Sequence, residues 1–322
     1  MKKVLGLGNA LVDIVIRLES DRQLEELNIP KGCMQLVDLE RAQQILEYFK
    51  DYPQALASGG SCANTLSGIA HLGGNASFVG CVGNDKYGEI FKNQMLESGI
   101  KPNLFEGTVG TGTAITLISP CSERTFATYL GSAIEMSANH LSEGLFEGYD
   151  YFHIEGNLVQ NYDLIRTAIE MAKKAGCKVS LDLASYNVVE ENLEFLSEMI
   201  EKYVDILFAN KDESRTVCGK EGKEALAFFA SFVEYTIMKA GKKGSWVQFQ
   251  DRIEYIDALD IKNVIDTNGA GDAYAAGFLY GLSTDLDLKT CGDLGAKLAS
   301  EVVQVVGPKL SKEKWQEIHK SL

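Results

Sequence analysis

The chain has 322 residues, 45% of them hydrophobic and 24% charged, the composition of a globular protein large enough to be stable without disulfides or a structural metal. Its 45 acidic against 31 basic residues leave a net charge of −14, a field that repels a nucleic-acid backbone. Seven scattered cysteines without a C-x-x-C pair, four isolated histidines and no run near the roughly 20 apolar residues of a membrane span argue against a disulfide framework, a zinc cluster and a spanning helix.

Val4–Gly8 opens the chain as a strand, and Asn9 and Asp13 break the apolar run, so no secretory leader is expected there. A cytoplasmic protein without nucleic-acid or membrane partners is expected. Gly6-Leu7-Gly8-Asn9-Ala10-Leu11 lacks the third glycine of a dinucleotide fingerprint and fits a polar turn. Leu11–Leu18 alternates, with Asp13 and Arg17 among apolar residues, as a second strand. Ser58-Gly59-Gly60-Ser61-Cys62-Ala63-Asn64 then leads into a helix carrying Leu66, Ile69, Ala70 and Leu72. Adjacent glycines let a backbone approach a ligand closely, and Asn64 can donate to and accept from a pair of hydroxyls. The same residues also describe a tight turn N-capped by Ser61.

Gly112–Ser119 and Thr125–Leu130 are β-branched strands with no helix between them. Such strands do not readily join a parallel sheet, so a small β-sheet lid is expected from about residues 10–36 and 105–132. From Tyr149 the pattern alternates: strand Tyr151–Ile154, helix Leu164–Ala175, strand Lys178–Leu183, helix Leu193–Tyr203, strands Asp205–Ala209 and Tyr235–Lys239. These are parallel βαβ units with helices on both sheet faces, an α/β core. Gly222-Lys223-Glu224 lacks the Walker phosphate-loop pattern. Ile265-Asp266-Thr267-Asn268-Gly269-Ala270-Gly271-Asp272-Ala273 follows a β-type segment and enters a helix predicted over Ala273–Leu282. Its N–H groups would gather at a helix N-terminus, a site for anionic charge, and the small residues before Asp272 leave room for a phosphoryl group. No linker interrupts the chain, so one domain over 1–322 is expected, with ligands between the lid and the carboxyl ends of the core strands.

The segments Gly59–Asn64 and Asp266–Asp272 resemble the two signatures of the ribokinase-like (PfkB) carbohydrate and nucleoside kinase family. Phe78-Val79-Gly80-Cys81-Val82-Gly83-Asn84-Asp85 is similar to the family's glycine-punctuated strand-to-helix segment. Asn210-Lys211-Asp212-Glu213 resembles its N-x-x-E motif, and Gly241-Lys242-Lys243-Gly244 its G-x-x-G turn. The likeness spans essentially the whole chain. It implies a Rossmann-like ribokinase fold, a mostly parallel sheet flanked by helices with a small β-sheet lid. Within the family, Asn9–Ile14, Lys31–Leu36 and Asn268 look most like the adenosine kinases and their bacterial relatives.

The resemblance implies ATP as phosphoryl donor, Mg²⁺, and a nucleoside or sugar as acceptor, with adenosine first. A ribose, fructose or keto-deoxy sugar-acid kinase is the nearest rival, and a homologue that binds but does not catalyse is a third reading. Asp272 would be the general base, and the amides of Asn268, Gly269, Ala270, Gly271 and Asp272 an anion hole. Asp13, Gly60 and Asn64 would hold acceptor hydroxyls. Asn210 and Glu213 would organise the Mg²⁺–phosphate shell through water, or simply cap a solvated helix. Asn268, Gly241, Gly244 and Lys239 would contact nucleotide, Lys239 standing where ribokinase-type members commonly have Thr. Arg124 either contacts a phosphate or is an exposed hairpin residue. Leu11, Met34 and Phe126 form either a wall for a base or lid core. Some members bind a monovalent cation near the residues matching Asp266 and Gly307–Ser311, which makes K⁺ a further expectation. The chain would be a monomer, or a homodimer through the lid.

Overall fold

In the computed structural model residues 1–320 are described; the last two residues of the expected 1–322 domain lie outside them. The strands, in chain order, are β1 Lys3–Leu7, β2 Leu11–Arg17, β3 Met34–Leu36, β4 Gln54–Gly59, β5 Asn75–Val82, β6 Lys101–Glu106 and β7 Thr111–Ile118. They continue with β8 Arg124–Gly131, β9 Tyr151–Glu155, β10 Lys178–Asp182, β11 Ile206–Asn210, β12 Tyr235–Lys239, β13 Ser245–Phe249 and β14 Arg252–Ile256. Two sheets result. The larger has nine strands in the order β14-β13-β12-β11-β10-β9-β1-β5-β6, parallel from β12 to β6 and antiparallel only at β13 and β14. The smaller runs β3-β8-β7-β2-β4.

Strands of the large sheet are near-continuous apolar runs because both faces are covered. Val4, Phe78, Ile206, Phe208 and Ile237 enter one core, under the helices Ser61–His71, Ala270–Ser283 and Leu288–Val302. Leu5, Leu7, Val79, Phe152, Ile154 and Leu207 enter the other, under Tyr162–Lys174, Leu193–Lys202 and Gly222–Phe229. Consecutive residues thus alternate between two cores, the period of a strand. The carboxyl ends of four adjacent strands carry Glu155, Asp182, Asn210 and Lys239, which brings these polar side chains to one edge of the sheet.

The lid expected from residues 10–36 and 105–132 needs two corrections. Gln54–Gly59, rich in small residues and not assigned a strand, pairs antiparallel with β2 and forms an edge of the small sheet. Phe105 and Glu106, placed in the lid, belong to β6 and pair with Cys81 and Val82 in the large sheet. The helix Lys86–Glu97 is the crossover that permits this parallel pairing. On the small sheet Val12, Ile14, Ile16, Ile115, Leu117 and Ala127 are buried with Phe91, Met95, Ile45 and Phe49 of the helices behind it. The opposite face carries Leu11, Asp13, Val15, Arg124, Phe126, Met34 and Leu36, by the strand period and the pairing register. That face overlooks the carboxyl end of the large sheet.

Candidate active site

Two glycine-bearing segments more than two hundred residues apart meet at one carboxylate. Ser61 Oγ donates to Asp272 Oδ1 at 2.7 Å, and Asn64 Nδ2 donates to Oδ2 at 3.0 Å. Their helices touch closely: a methyl added at Gly68 would stand 2.5 Å from the Ala276 Cβ. The helix carrying Asp272 begins at Ala270, three residues before the predicted start, because Gly269 takes the left-handed N-cap conformation with φ of 77°. Asp272 therefore lies inside the first turn and is not a cap. Burial pushes its carboxyl up, the Ser61 and Asn64 bonds hold it back, and Asp182 and Lys239 act in opposite senses. The buried Asn64 Oδ1 has no hydrogen-bond partner among the described residues. An orphaned acceptor beside a carboxylate suits a hydroxyl donor.

Ser61 is not the N-cap of its helix. Gly60 is, with φ of 97°, and a side chain there would collide with the Asn9 carbonyl oxygen at 2.3 Å. The work of a cap falls to Glu155, whose Oε2 accepts from Cys62 N at 2.6 Å while Oε1 accepts from Asn9 N and Nδ2, both at 3.0 Å. Burial raises this carboxyl to about 7, and those donors oppose the rise. A Cβ at Gly59 would likewise overlap Asp13 Oδ1, so the paired glycines let this turn press against both Asn9 and Asp13.

The anion loop is narrower than expected. Asn268 N donates to Asp266 Oδ1 at 3.1 Å and Ala270 N to the Thr267 carbonyl at 3.3 Å, so both amides serve their own loop. Gly269, Gly271 and Asp272 keep N–H groups with no acceptor among the described residues, as the first turn of a helix must. Lys239 Nζ lies 3.3 Å from where a Gly271 Cβ would stand and is bonded to Asp182 Oδ2 at 2.7 Å. Burial pulls its ammonium down, but Asp182 and Glu213 outweigh that and raise it. It thus stays charged beside the loop.

Asn210 and Glu213 form a reciprocal cap: Asn210 Oδ1 accepts from Asp212 N and Glu213 N, and Glu213 Oε2 accepts from Asn210 N at 2.7 Å. The capping alternative is therefore real, yet the site is not solvated, since Glu213 is 1% exposed. Burial and Asp182 push its carboxyl up to about 7, with Lys239 opposing. Two carboxylates against one lysine leave this corner short of positive charge, which fits a divalent cation. No group of three or more His, Cys, Asp or Glu poised to hold a metal occurs among the described residues. Such an ion would be carried on phosphate oxygens and water, as Mg²⁺ usually is. Gly241 and Gly244 turn β12 into β13 with positive φ, and a Cβ on Gly244 would strike the Ile256 carbonyl.

On the lid side, burial raises Asp13 to about 6; Lys309 and Arg124 lower it and Asp272 raises it. Lys309, which the sequence reading missed, has no hydrogen bond or ion pair among the described residues, and burial lowers it to about 8 against the pull of Asp13 and Asp272. It stands where Pro308 packs on Gly269, lining a cavity of about 380 Å³ with Asn64, Ser58 and Trp315. Arg124 is not an exposed hairpin residue: its Nη2 pairs with Asp266 Oδ2 at 2.7 Å. Leu11, Phe126 and Met34 share the cleft face, but not as one wall. Phe126 and Met34 are paired, and their row continues through Thr116 to Val15, four residues from Leu11, or about 13 Å along the strand. Leu11 and the Phe126–Met34 pair flank Asp13 on opposite sides.

The model of the pfkB family carbohydrate kinases matches residues 54–315. The chain is 28% identical to an adenosine kinase of Saccharomyces cerevisiae, over 96% of each chain. It is 26% identical to a 5-dehydro-2-deoxygluconokinase of Halalkalibacterium halodurans, over 89% of this chain and 90% of that one. The crystal structure of adenosine kinase from Sinorhizobium meliloti superposes with a TM-score of 0.88 at 30% identity, covering 100% of this chain and 99% of the other.

Proposed function

The chain belongs to the pfkB family of carbohydrate kinases, a phosphotransferase acting on an alcohol group of a nucleoside or sugar, and from that premise we propose that its acceptor is a nucleoside, adenosine first. ATP is the donor in this reading. The acceptor's primary hydroxyl lies against Asp272, which takes its proton as the oxygen bonds to the γ-phosphorus and the bond to ADP breaks. The free amides of Gly269, Gly271 and Asp272 face the charge on the transferring group, with Lys239 as a fixed cation beside them. Mg²⁺, when bound, neutralises phosphate charge, and Asn210 and Glu213 are the residues that would hold its water shell. Asp13 and the open Asn64 Oδ1 accept from the remaining hydroxyls.

The observation that carries the nucleoside is the apolar surface on the same cleft face as Asp13, three strands across the small sheet from it. Met34 is 63% and Leu36 59% exposed on the cleft face, beside Phe126. A polyol has nothing apolar to lay on them, whereas a purine does. One feature favours a second reading: Lys309, without an ion pair among the described residues, suits a carboxylate, and a relative is named for a sugar acid. Coupled ADP release with adenosine, inosine, ribose, fructose and a keto-deoxy sugar acid separates the two. Turnover of adenosine is expected; turnover of the sugar acid alone would assign the acceptor site to Lys309 and discard the base surface.

A further inference from the structure

The resemblance to the family raises a monovalent cation at Asp266, and the residues present do not fit one. Asp266 Oδ2 accepts from Arg124 Nη2 at 2.7 Å and from Gly307 N at 2.8 Å, and Oδ1 accepts from Asn268 N at 3.1 Å. Three of the carboxylate's four lone-pair directions are filled, one of them by a full positive charge. The pair is deeply buried, with side-chain exposures of 9% for Arg124 and 6% for Asp266. Breaking such a pair from one side leaves an uncompensated charge in the interior, which is far more costly than the pair itself is stabilising.

We infer that Arg124 is a tethered substitute for the monovalent cation, delivered to the anion loop by the lid, so that the protein needs no K⁺. The placement explains the rest of the geometry. Asp266 ties two backbone segments together: it holds Asn268, the residue before Gly269, and Gly307, the residue before Pro308. Pro308 in turn packs on Gly269, where a Cβ would stand 2.4 Å from the Pro308 Cβ. The shape of the loop that carries the free amides therefore depends on Asp266 being compensated. Arg124 begins β8, in the small sheet, on the same cleft face as Asp13. Its guanidinium reaches Asp266 only while the sheet lies against the core. Closure of the small sheet over an acceptor and completion of the anion loop become one event, and an open lid leaves the loop without its cation. Arg124 is a positioning residue: it acts through Asp266 and not on the reacting atoms.

The inference rests on the phosphoryl-transfer reading, so its test has one readout that does not. Full-length wild type, Arg124→Ala and the near-isosteric Arg124→Gln are compared in K⁺ and in tetramethylammonium at matched ionic strength, by turnover and by thermal midpoint. Wild type should be indifferent to the exchange in both. The variants should lose about 10²-fold in kcat in tetramethylammonium, with acceptor KM moving less, the size of losing one electrostatic support of a transition state. K⁺ should recover part of that loss and raise the midpoint of the variants but not of wild type. A midpoint or turnover of wild type that rises with K⁺, or variants indifferent to K⁺ in both, would overturn the inference. If wild type turns over no acceptor, the functional reading fails, and the K⁺ effect on the midpoints still decides how Asp266 is compensated.

Discussion

The anion loop and the small sheet reach one cleft by different routes. The loop is a single run, Asp266–Asp272, whose own sequence turns Gly269 left-handed, begins a helix and leaves its first amides free, braced from outside by Gly307, Pro308 and Arg124. The cleft face of the sheet is assembled sideways. Asp13 lies in a row with Ala57, Ala114, Thr128 and Leu36, contributed by five strands from widely separated stretches of chain. A site built along the chain depends on a few small residues and is intolerant of their change. A site built across strands depends on register, and single side chains in it can vary with graded effect. On this view the loop carries the chemistry and the sheet the choice of acceptor.

The sharpest way to break that division is Asp272→Asn, expected to lower kcat by about 10²–10⁴-fold with little change in acceptor KM. Steady-state kinetics within a few-fold of wild type would remove the general base from the loop. Next in size, Asp13→Ala should raise acceptor KM by roughly 10–100-fold, the equivalent of about 1.5–3 kcal/mol for a hydrogen bond to a charged group. Because burial holds Asp13 at about 6, wild-type KM should also climb as pH falls through that value. Folding responds in the opposite sense. With the folded value above the ordinary carboxylate range, the contribution of Asp13 to stability is greatest below that range and is lost as pH rises through about 6. A KM profile flat on the acid side would separate Asp13 from the acceptor.

Smaller again, Met34→Ser with Leu36→Ser should raise KM for adenosine by roughly tenfold, the scale of about 60 Å² of apolar contact, and leave ribose untouched. Equal effects on both acceptors would place the base elsewhere. The smallest effect is expected from Lys309→Met. Lys309 lowers Asp13, so its loss should move the acid limb of the KM profile upward by a fraction of a pH unit. A limb that moves downward would reverse the assigned electrostatics.

The same contrast explains what could be read from the sequence. Asp272, Gly269, Gly60 and Asn64 sit in motifs whose spacing carries their meaning, and the parallel core from Tyr151 onward followed from alternating apolar runs. Lys309 and Glu155 were invisible because each acts on distant chain: Lys309 through its charge on Asp13 and Asp272, Glu155 by accepting from Asn9 and Cys62. The only local signal for Lys309 was a lysine after Gly307-Pro308. Gln54–Gly59 escaped because Ala and Gly have low strand propensity, and its pairing with β2 overrides that preference. Arg124 and Asp266 were each singled out, but not their pairing, which requires the lid and the core to be seen together.

The seam between the Ser61–His71 and Ala270–Ser283 helices bears a final consequence. The proposed proton acceptor, Asp272, rides on one helix and its two donors on the other, and the spacing between them is set by Gly68 against Ala276. That contact is a gauge block. A methyl added at Gly68 touches no reactant, yet it acts as a shim that pries the carboxylate from Ser61 and Asn64. The loosened carboxylate would lose the two bonds that restrain its proton affinity, so it would become more basic and less well aimed at once. Machining tolerance at a position buried in the core thereby sets both the strength and the alignment of the proposed base.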